Sequence, residues 1–151
     1  MTVTRPGLDI WMLVTLAAAS CQVAKVAAYS IAQRRLNLAV LAQSAGLPSL
    51  HAVVGSSLLT LLVLDAGFGS AEASVALVFL VISVFDSVRV RGAAQAQRRI
   101  VHDLVLRSAH ANVWERRVAT YLDPMAHAPV HVALGLAWGG LFAVAFAAPA
   151  G

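Results

Sequence analysis

Four long apolar stretches constrain this 151-residue chain more than any other feature. They cover about residues 10–32, 50–64, 73–88 and 129–148. A helix needs about 20 mostly apolar residues to cross a bilayer, and uniformly apolar stretches favour helices over the alternating strands of a barrel. The sequence therefore predicts an all-α, polytopic transmembrane helix bundle of about four spans, built as one integral membrane domain over residues 1–151.

The composition excludes the main alternatives to a membrane protein. Hydrophobic residues make up 60% of the chain and charged residues only 12%, against about 25% charged in an ordinary soluble domain. A soluble domain of this size could not bury so much apolar surface, and a disordered chain does not contain it. The single cysteine, Cys21, excludes a disulfide scaffold and a cysteine-based zinc site.

The basic residues indicate a topology. Nine of the eleven lie in the connections at about residues 33–46 and 89–126, whereas the turn at 65–72 holds two acids and no base. The positive-inside rule places the basic connections in the cytoplasm and both termini outside, as expected for a bacterial inner membrane protein. The net charge of +4 is thereby explained without a nucleic-acid partner.

The segment at about residues 90–118 is too charged to span a bilayer. Its apolar residues recur at helical spacing between arginines: Ile100, Val101, Leu104, Val105 and Ala111. This pattern predicts an amphipathic helix on the inner leaflet, with its arginines near anionic lipid headgroups. A solvated connector helix is the alternative.

Several ionisable residues lie inside or at the ends of the predicted spans, where they are costly and indicate function. They are Lys25, His51, Asp86, Arg91, His127 and His131. The predicted topology brings all of them to the cytoplasmic face. Cationic side chains suit phosphate oxygens, and histidine can act as a nucleophile or general acid, so the set predicts a site for a lipid phosphate. Taken singly, Lys25 could instead snorkel to the interface and the histidines could cap helices.

Short motifs in the chain resemble the divergent branch of the type-2 phosphatidic acid phosphatase superfamily, whose wider relatives include vanadium haloperoxidases. Residues 46–51 (GLPSLH) resemble Gly-Met-Pro-Ser-Ser-His, and residues 127–132 (HAPVHV) resemble His-Thr-Pro-x-Glu-Val. The other matching positions are Gln22, Lys25, Arg34, Arg35, Asp86, Val90, Arg91, Gln97 and Gly135. The resemblance covers about residues 20–140 in one register.

The resemblance implies a helical membrane bundle that hydrolyses phosphomonoesters with no metal or other cofactor. His127 would attack phosphorus and form a phosphohistidine, and His51 would protonate the leaving oxygen. Ser49 would hold a phosphate oxygen at the start of a helix. The cations that would neutralise the transferred group are Lys25, Arg35 and Arg91.

Two departures from the family pattern bear on catalysis. Where the family has an acid four residues after the nucleophile, this chain has His131, which one helical turn places beside His127. A neutral imidazole at this catalytic position supplies no counter-charge to an imidazolium. Leu50 replaces the second serine of its motif and cannot donate to phosphate. Both changes favour a catalytically degenerate protein.

Three functions follow from these observations. The first is a non-catalytic subunit or assembly factor of a larger membrane protein complex, in contact with membrane lipids. The second is an active phosphatase whose substrate is a lipid phosphomonoester at the cytoplasmic leaflet. The third is a metal site of His51, His127 and His131. Because the resemblance already accounts for two of these histidines and carboxylates are scarce, we expect no metal.

Overall fold

A computed structural model describes residues 9–34, 36, 48–90, 97, 100–101, 103–104 and 129–147. Four α-helices have defined bounds within them: α1 (Ile10–Gln33), α2 (Leu50–Ala66), α3 (Ala71–Phe85) and α4 (Pro129–Phe146). A π-helical turn, Asp86–Val90, extends α3. No strand occurs in the described part of the chain. The prediction of an all-α helix bundle is confirmed.

Local sequence signals set the ends of these helices. The Ser70 side chain accepts a hydrogen bond from the Ala73 backbone N–H at 3.1 Å, and Glu72 adds negative charge to the first turn of α3. α2 stops at Gly67, whose φ of 86° suits glycine. α1 ends at Gln33 and is followed by Arg34, which adopts the left-handed conformation with φ 51°.

Three helical segments are long and apolar enough to cross a membrane: Ile10–Ile31, Ala71–Arg89 and Pro129–Phe146. They correspond to the first, third and fourth predicted spans. The second, α2, has 17 residues, which gives it a length of about 26 Å against a hydrocarbon core of about 30 Å. α2 contacts α1, α3 and α4, so this shorter helix lies at the centre of the bundle.

Packing between the helices defines their directions. Leu13 of α1 shares a buried cluster with Leu61 near the end of α2, and Cys21 shares another with Val53 near its start. α1 therefore runs antiparallel to α2. The short turn at residues 67–70 reverses the chain, so α3 is also antiparallel to α2.

Two glycines of α4 allow a close approach to α2. A Cβ on Gly135 would lie 2.6 Å from the Ser49 carbonyl oxygen, and a Cβ on Gly139 would overlap the Val53 carbonyl oxygen. This pairing shows that α4 runs parallel to α2. Such small residues let two helix backbones meet. Gly135 and Gly139 thus serve the packing of α4 against α2 inside the bundle.

The outer surface of the bundle is apolar. Large hydrophobic side chains are exposed on all three long helices, including Val23, Val75, Phe79 and Leu141. In a soluble monomer such surfaces would be unusual, whereas lipid chains solvate them.

The predicted helix at about residues 90–118 lies mostly outside the described residues. The positions described within it, Gln97, Ile100, Val101, Asp103 and Leu104, are helical and exposed. Its placement on the inner leaflet, and the side of the membrane that each end of the bundle faces, stay predictions.

Candidate functional site

The structure describes some of the predicted site residues and not others. Those described are Lys25, Ser49, His51 and His131. Those outside the described residues are Arg35, Arg91 and His127.

Lys25 and Ser49 lie at the same level of the bundle. Along the antiparallel helices α1 and α2, Leu13 packs near Leu61 and Cys21 packs near Val53. One further helical turn in the same register brings Lys25 level with Ser49. We call these two residues the Lys25–Ser49 pair.

Hydrogen bonds attach the start of α2 to the neighbouring helices. The Ser49 backbone N–H donates to the carbonyl oxygen of His131 at 3.0 Å, which joins Ser49 to the first turn of α4. The Cys21 thiol, one turn before Lys25 on α1, contacts the Pro48 carbonyl oxygen at 3.8 Å. Gly135 of α4 lies against the Ser49 backbone. Ser49 is therefore held between α1, α2 and α4.

The Lys25 side chain is buried without a hydrogen-bond partner in the described part of the chain. It is 0% exposed, and its Nζ has no hydrogen bond to any of the described residues. The interpretation that Lys25 snorkels to the interface is therefore wrong, because a snorkelling ammonium would be exposed. An unsatisfied buried donor costs about 1–3 kcal/mol, and more when it is charged.

Ser49 is also buried, and its hydroxyl has no hydrogen bond within the described residues. It occupies the N-cap position of α2, where a serine side chain usually accepts a hydrogen bond from a backbone N–H of the first turn. No such bond forms, and its Oγ has no partner among the described residues. A helix start also leaves backbone N–H groups without partners inside the helix.

The histidines and Leu50 line the same end of the bundle. His51 and His131 are half-buried in the first turns of α2 and α4. Leu50 packs against the buried cluster of Ala17, Cys21 and Val53. The position where the resemblance has a serine therefore contributes to the apolar core.

Ser87 is a buried polar residue that the sequence analysis missed. It lies in the π-helical turn, is 1% exposed, and its Oγ has no partner among the described residues. The helical spacing of Ala73, Ala76, Leu80 and Ser87 marks one face of α3, and the two alanines on that face are buried. That spacing was the available sequence signal.

An apolar groove of about 480 Å³ opens near this end, between the end of α3 and α4. It is lined by Leu80, Val84, Phe85, Val88, Arg89 and Leu136. Arg89 is exposed and carries the only cationic side chain among these lining residues. The groove therefore offers apolar walls beside a guanidinium group.

The family is decided by comparison with known proteins. The model of the Divergent PAP2 family matches residues 9–142. This chain belongs to the Divergent PAP2 family. The match confirms the resemblance found in the motifs, and it spans all the predicted site residues of this divergent PAP2 protein, including those outside the described part.

A relative of this divergent PAP2 chain is also a membrane protein. The uncharacterized membrane protein YuiD of Bacillus subtilis (strain 168) is 33% identical over 85 residues, which cover 56% of this chain and 54% of YuiD. The chain thus spans about half the length of this relative. No solved structure matches the chain. With the three long apolar helices, the relative indicates an integral membrane protein.

A metal centre has no ligand set in the described part of this divergent PAP2 protein. No group of three or more histidine, cysteine or acidic side chains there is arranged to hold a metal ion. The histidine set considered from the sequence includes His127, which lies outside the described residues. That alternative therefore stays a hypothesis.

Proposed function

We propose that this divergent PAP2 protein binds the phosphate group of a membrane lipid at the Lys25–Ser49 pair. The observation that carries the proposal is the burial of both polar groups at one level without a partner among the described residues. Burying two such groups without hydrogen bonds costs folding free energy, so a ligand that bonds to both recovers this energy on binding.

The chemistry of the Lys25–Ser49 pair favours an anion rich in oxygen. A lysine ammonium offers three donors and no acceptor, and a serine hydroxyl offers one donor. The first turn of α2 adds backbone N–H groups and the positive end of the helix dipole. Phosphate accepts hydrogen bonds from all three kinds of donor.

The neighbouring groove favours a lipid as the source of this phosphate. Its walls include Val84, Val88 and Leu136, which suit an acyl or prenyl chain, and Arg89 can attract an anionic headgroup. A lipid chain in this groove would bring its headgroup to the same end of the bundle as the Lys25–Ser49 pair.

We further propose that the protein is catalytically degenerate and acts as a non-catalytic subunit or assembly factor of a larger membrane complex. Leu50 supports this, because its side chain packs in the apolar core and donates nothing to a ligand. His131 supports it as well, because it replaces the acid that would stabilise an imidazolium at His127. The protein would then hold a lipid phosphate without hydrolysing it efficiently.

An active phosphatase is the second candidate, favoured by the retained Lys25 and Ser49. In that mechanism His127 attacks phosphorus, the leaving oxygen takes a proton from His51, and water then hydrolyses the phosphohistidine. Lys25 and Ser49 would stabilise the negative charge of the transferred phosphoryl group.

Binding is tested on the purified full-length protein in detergent by its thermal shift with inorganic phosphate. Phosphate should raise the Tm of the wild type, since a ligand of the folded state stabilises it. Lys25→Met should abolish this shift and raise the Tm of the unliganded protein, because it removes an unpaired buried amine of similar length. Arg34→Met is the control, since Arg34 is an exposed cation at the same end of α1. No phosphate shift in the wild type would refute the proposal.

Catalysis is tested by phosphate release from phosphatidic acid in mixed micelles. We expect the wild type to release no more phosphate than His127→Ala. The double variant Leu50→Ser, His131→Glu should gain activity if these two positions account for the degeneracy. Release by the wild type that His127→Ala abolishes would instead establish the phosphatase.

The role in a complex is tested by isolating the tagged protein from its native membranes under mild conditions. A subunit or assembly factor should be recovered with the same membrane complex in a constant ratio. A protein that migrates alone at every detergent concentration would contradict this part of the proposal.

A further inference from the structure

Ser87 differs from four other helical serines of the bundle. The hydroxyls of Ser20, Ser56, Ser57 and Ser74 each donate to a backbone carbonyl three or four residues earlier. This is the usual way in which a helix satisfies a serine. The buried Ser87 hydroxyl makes no hydrogen bond to any described residue. Ser49 is the other buried serine with this property.

The helix register brings Ser87 to the level of the Lys25–Ser49 pair. Leu80 of α3 lies against Gly55 of α2, where a Cβ on the glycine would be 2.7 Å from Leu80 Cδ1. From this contact Ser87 lies seven residues further along α3, about 10 Å at 1.5 Å per residue. Ser49 lies six residues back along α2, about 9 Å in the same direction because the helices are antiparallel.

The π-helical turn also lies against α4 at this end of the bundle. It contacts α4, whose first turn is bonded to Ser49 through His131. α1, α2 and α4 meet at Ser49, and the π-helical turn reaches α4 at the same level, which contains three buried polar groups: Lys25, Ser49 and Ser87. Such π-helical turns are frequent at functional sites.

We infer that Ser87 donates a hydrogen bond to the phosphate bound by the Lys25–Ser49 pair, which makes it a third contact residue. The inference rests on the proposed phosphate binding and adds a donor from a third helix. A terminal phosphate has three non-bridging oxygens, one for each of Lys25, Ser49 and Ser87. A phosphodiester has only two, so the site should prefer a terminal phosphate.

The experiment compares Ser87→Ala with Ser57→Ala in the full-length protein. Both serines are buried, but Ser57 already donates to the Val54 carbonyl at 3.1 Å. Ser87→Ala should weaken the binding of inorganic phosphate about tenfold, the loss expected for one hydrogen bond to a charged group. Its Tm without phosphate should equal or exceed that of the wild type, because no bond is lost. Ser57→Ala should keep the wild-type phosphate affinity and lower the Tm.

A second variant distinguishes the effect of losing the hydroxyl from the effect of losing side-chain volume. Ser87→Cys keeps nearly the same size but replaces a strong donor with a weak one, so it should lose affinity as Ser87→Ala does. A purely structural Ser87 would lower the Tm of both variants and leave phosphate affinity unchanged, which would overturn the inference.

The outcomes distinguish the role of Ser87 from the proposed phosphate binding on which it rests. If Lys25→Met abolishes phosphate binding while Ser87→Ala binds like the wild type, only the role of Ser87 is refuted. If the wild type binds no phosphate, both are refuted.

Experiments with two phospholipids identify the source of the phosphate. In mixed micelles, phosphatidic acid should raise the Tm of the wild type more than phosphatidylglycerol does, and Ser87→Ala should reduce this difference. Binding of inorganic phosphate without a preference for phosphatidic acid would assign the site to free phosphate. Equal results with both lipids, together with equal binding of inorganic phosphate by the wild type and Ser87→Ala, would refute the three-oxygen contact.

Discussion

Adjacent glycines in α4 provide a sharp test of the helix packing. At Gly139, a Cβ would overlap the Val53 carbonyl oxygen and the Ser56 hydroxyl and lie 3.0 Å from the Ser57 backbone nitrogen. At Gly140, a Cβ would meet a single atom within 4 Å, Thr60 Oγ1 at 3.8 Å. The same substitution, Gly→Ala, therefore probes a closed and an open position one residue apart.

The two substitutions should change stability in opposite directions. In a helix interior Gly→Ala is favourable by about 1 kcal/mol, so Gly140→Ala should be neutral or stabilising. Gly139→Ala has the same gain but must separate two helix backbones, and overpacking of this kind costs about 1–3 kcal/mol or more. Because backbone atoms cannot rotate away, we expect the upper part of that range and a net loss of about 2 kcal/mol for Gly139→Ala.

Thermal unfolding of both variants in the same detergent provides the measurement. A loss of about 2 kcal/mol corresponds to a Tm lower by about 5 °C for a chain of this length. Gly140→Ala should unfold at or above the wild-type Tm. Equal Tm values for the two variants, or a larger loss for Gly140→Ala, would refute the parallel packing of α2 and α4.

Three further expectations follow from the packing. The buried thiol of Cys21, the only cysteine of the chain, should resist maleimide labelling in the folded protein and react once it is denatured; rapid labelling of the folded protein would contradict its burial. Trp138→Phe removes the indole hydrogen bond to Ser20 Oγ at 3.1 Å and should lower the free energy of unfolding by about 1 kcal/mol. In a Ser20→Ala background, where this bond is already absent, Trp138→Phe should cause no such loss. Gly55→Ala should lower the Tm, because its Cβ would lie 2.7 Å from Leu80 Cδ1. In a Leu80→Ala background the same substitution should lower the Tm less, because the clashing atom is gone. Strictly additive losses of stability in the double variant would contradict the contact.

The membrane character and the helices were predictable from local sequence. Spans predicted at about residues 10–32 and 129–148 correspond to Ile10–Gln33 and Pro129–Phe146 in the structure. α3 begins two residues earlier than predicted, at Ala71, because Ser70 caps it. These features depend on the hydropathy and capping preference of neighbouring residues, which the sequence displays directly.

The candidate site was only partly predictable. Lys25 and Ser49 were identified from a family resemblance and from the rarity of charge in an apolar helix. Their burial was not predictable, because a buried lysine and a lysine that snorkels look the same in sequence. Ser87 carried no motif at all, and the role of Leu50 in the core depended on which face of α2 meets α1.

The sequence by itself determined the membrane environment, the secondary structure and the family of this protein. Those properties come from the sum of residue preferences along each segment, and they do not require knowledge of what lies beside it. Only the tertiary structure decided that α2 is central, that Gly135 and Gly139 face it, and that Lys25 and Ser49 are buried at one level. Such facts depend on the register between helices far apart in the chain, because a shift of one residue rotates a helix by about 100° and changes which residues face its neighbours.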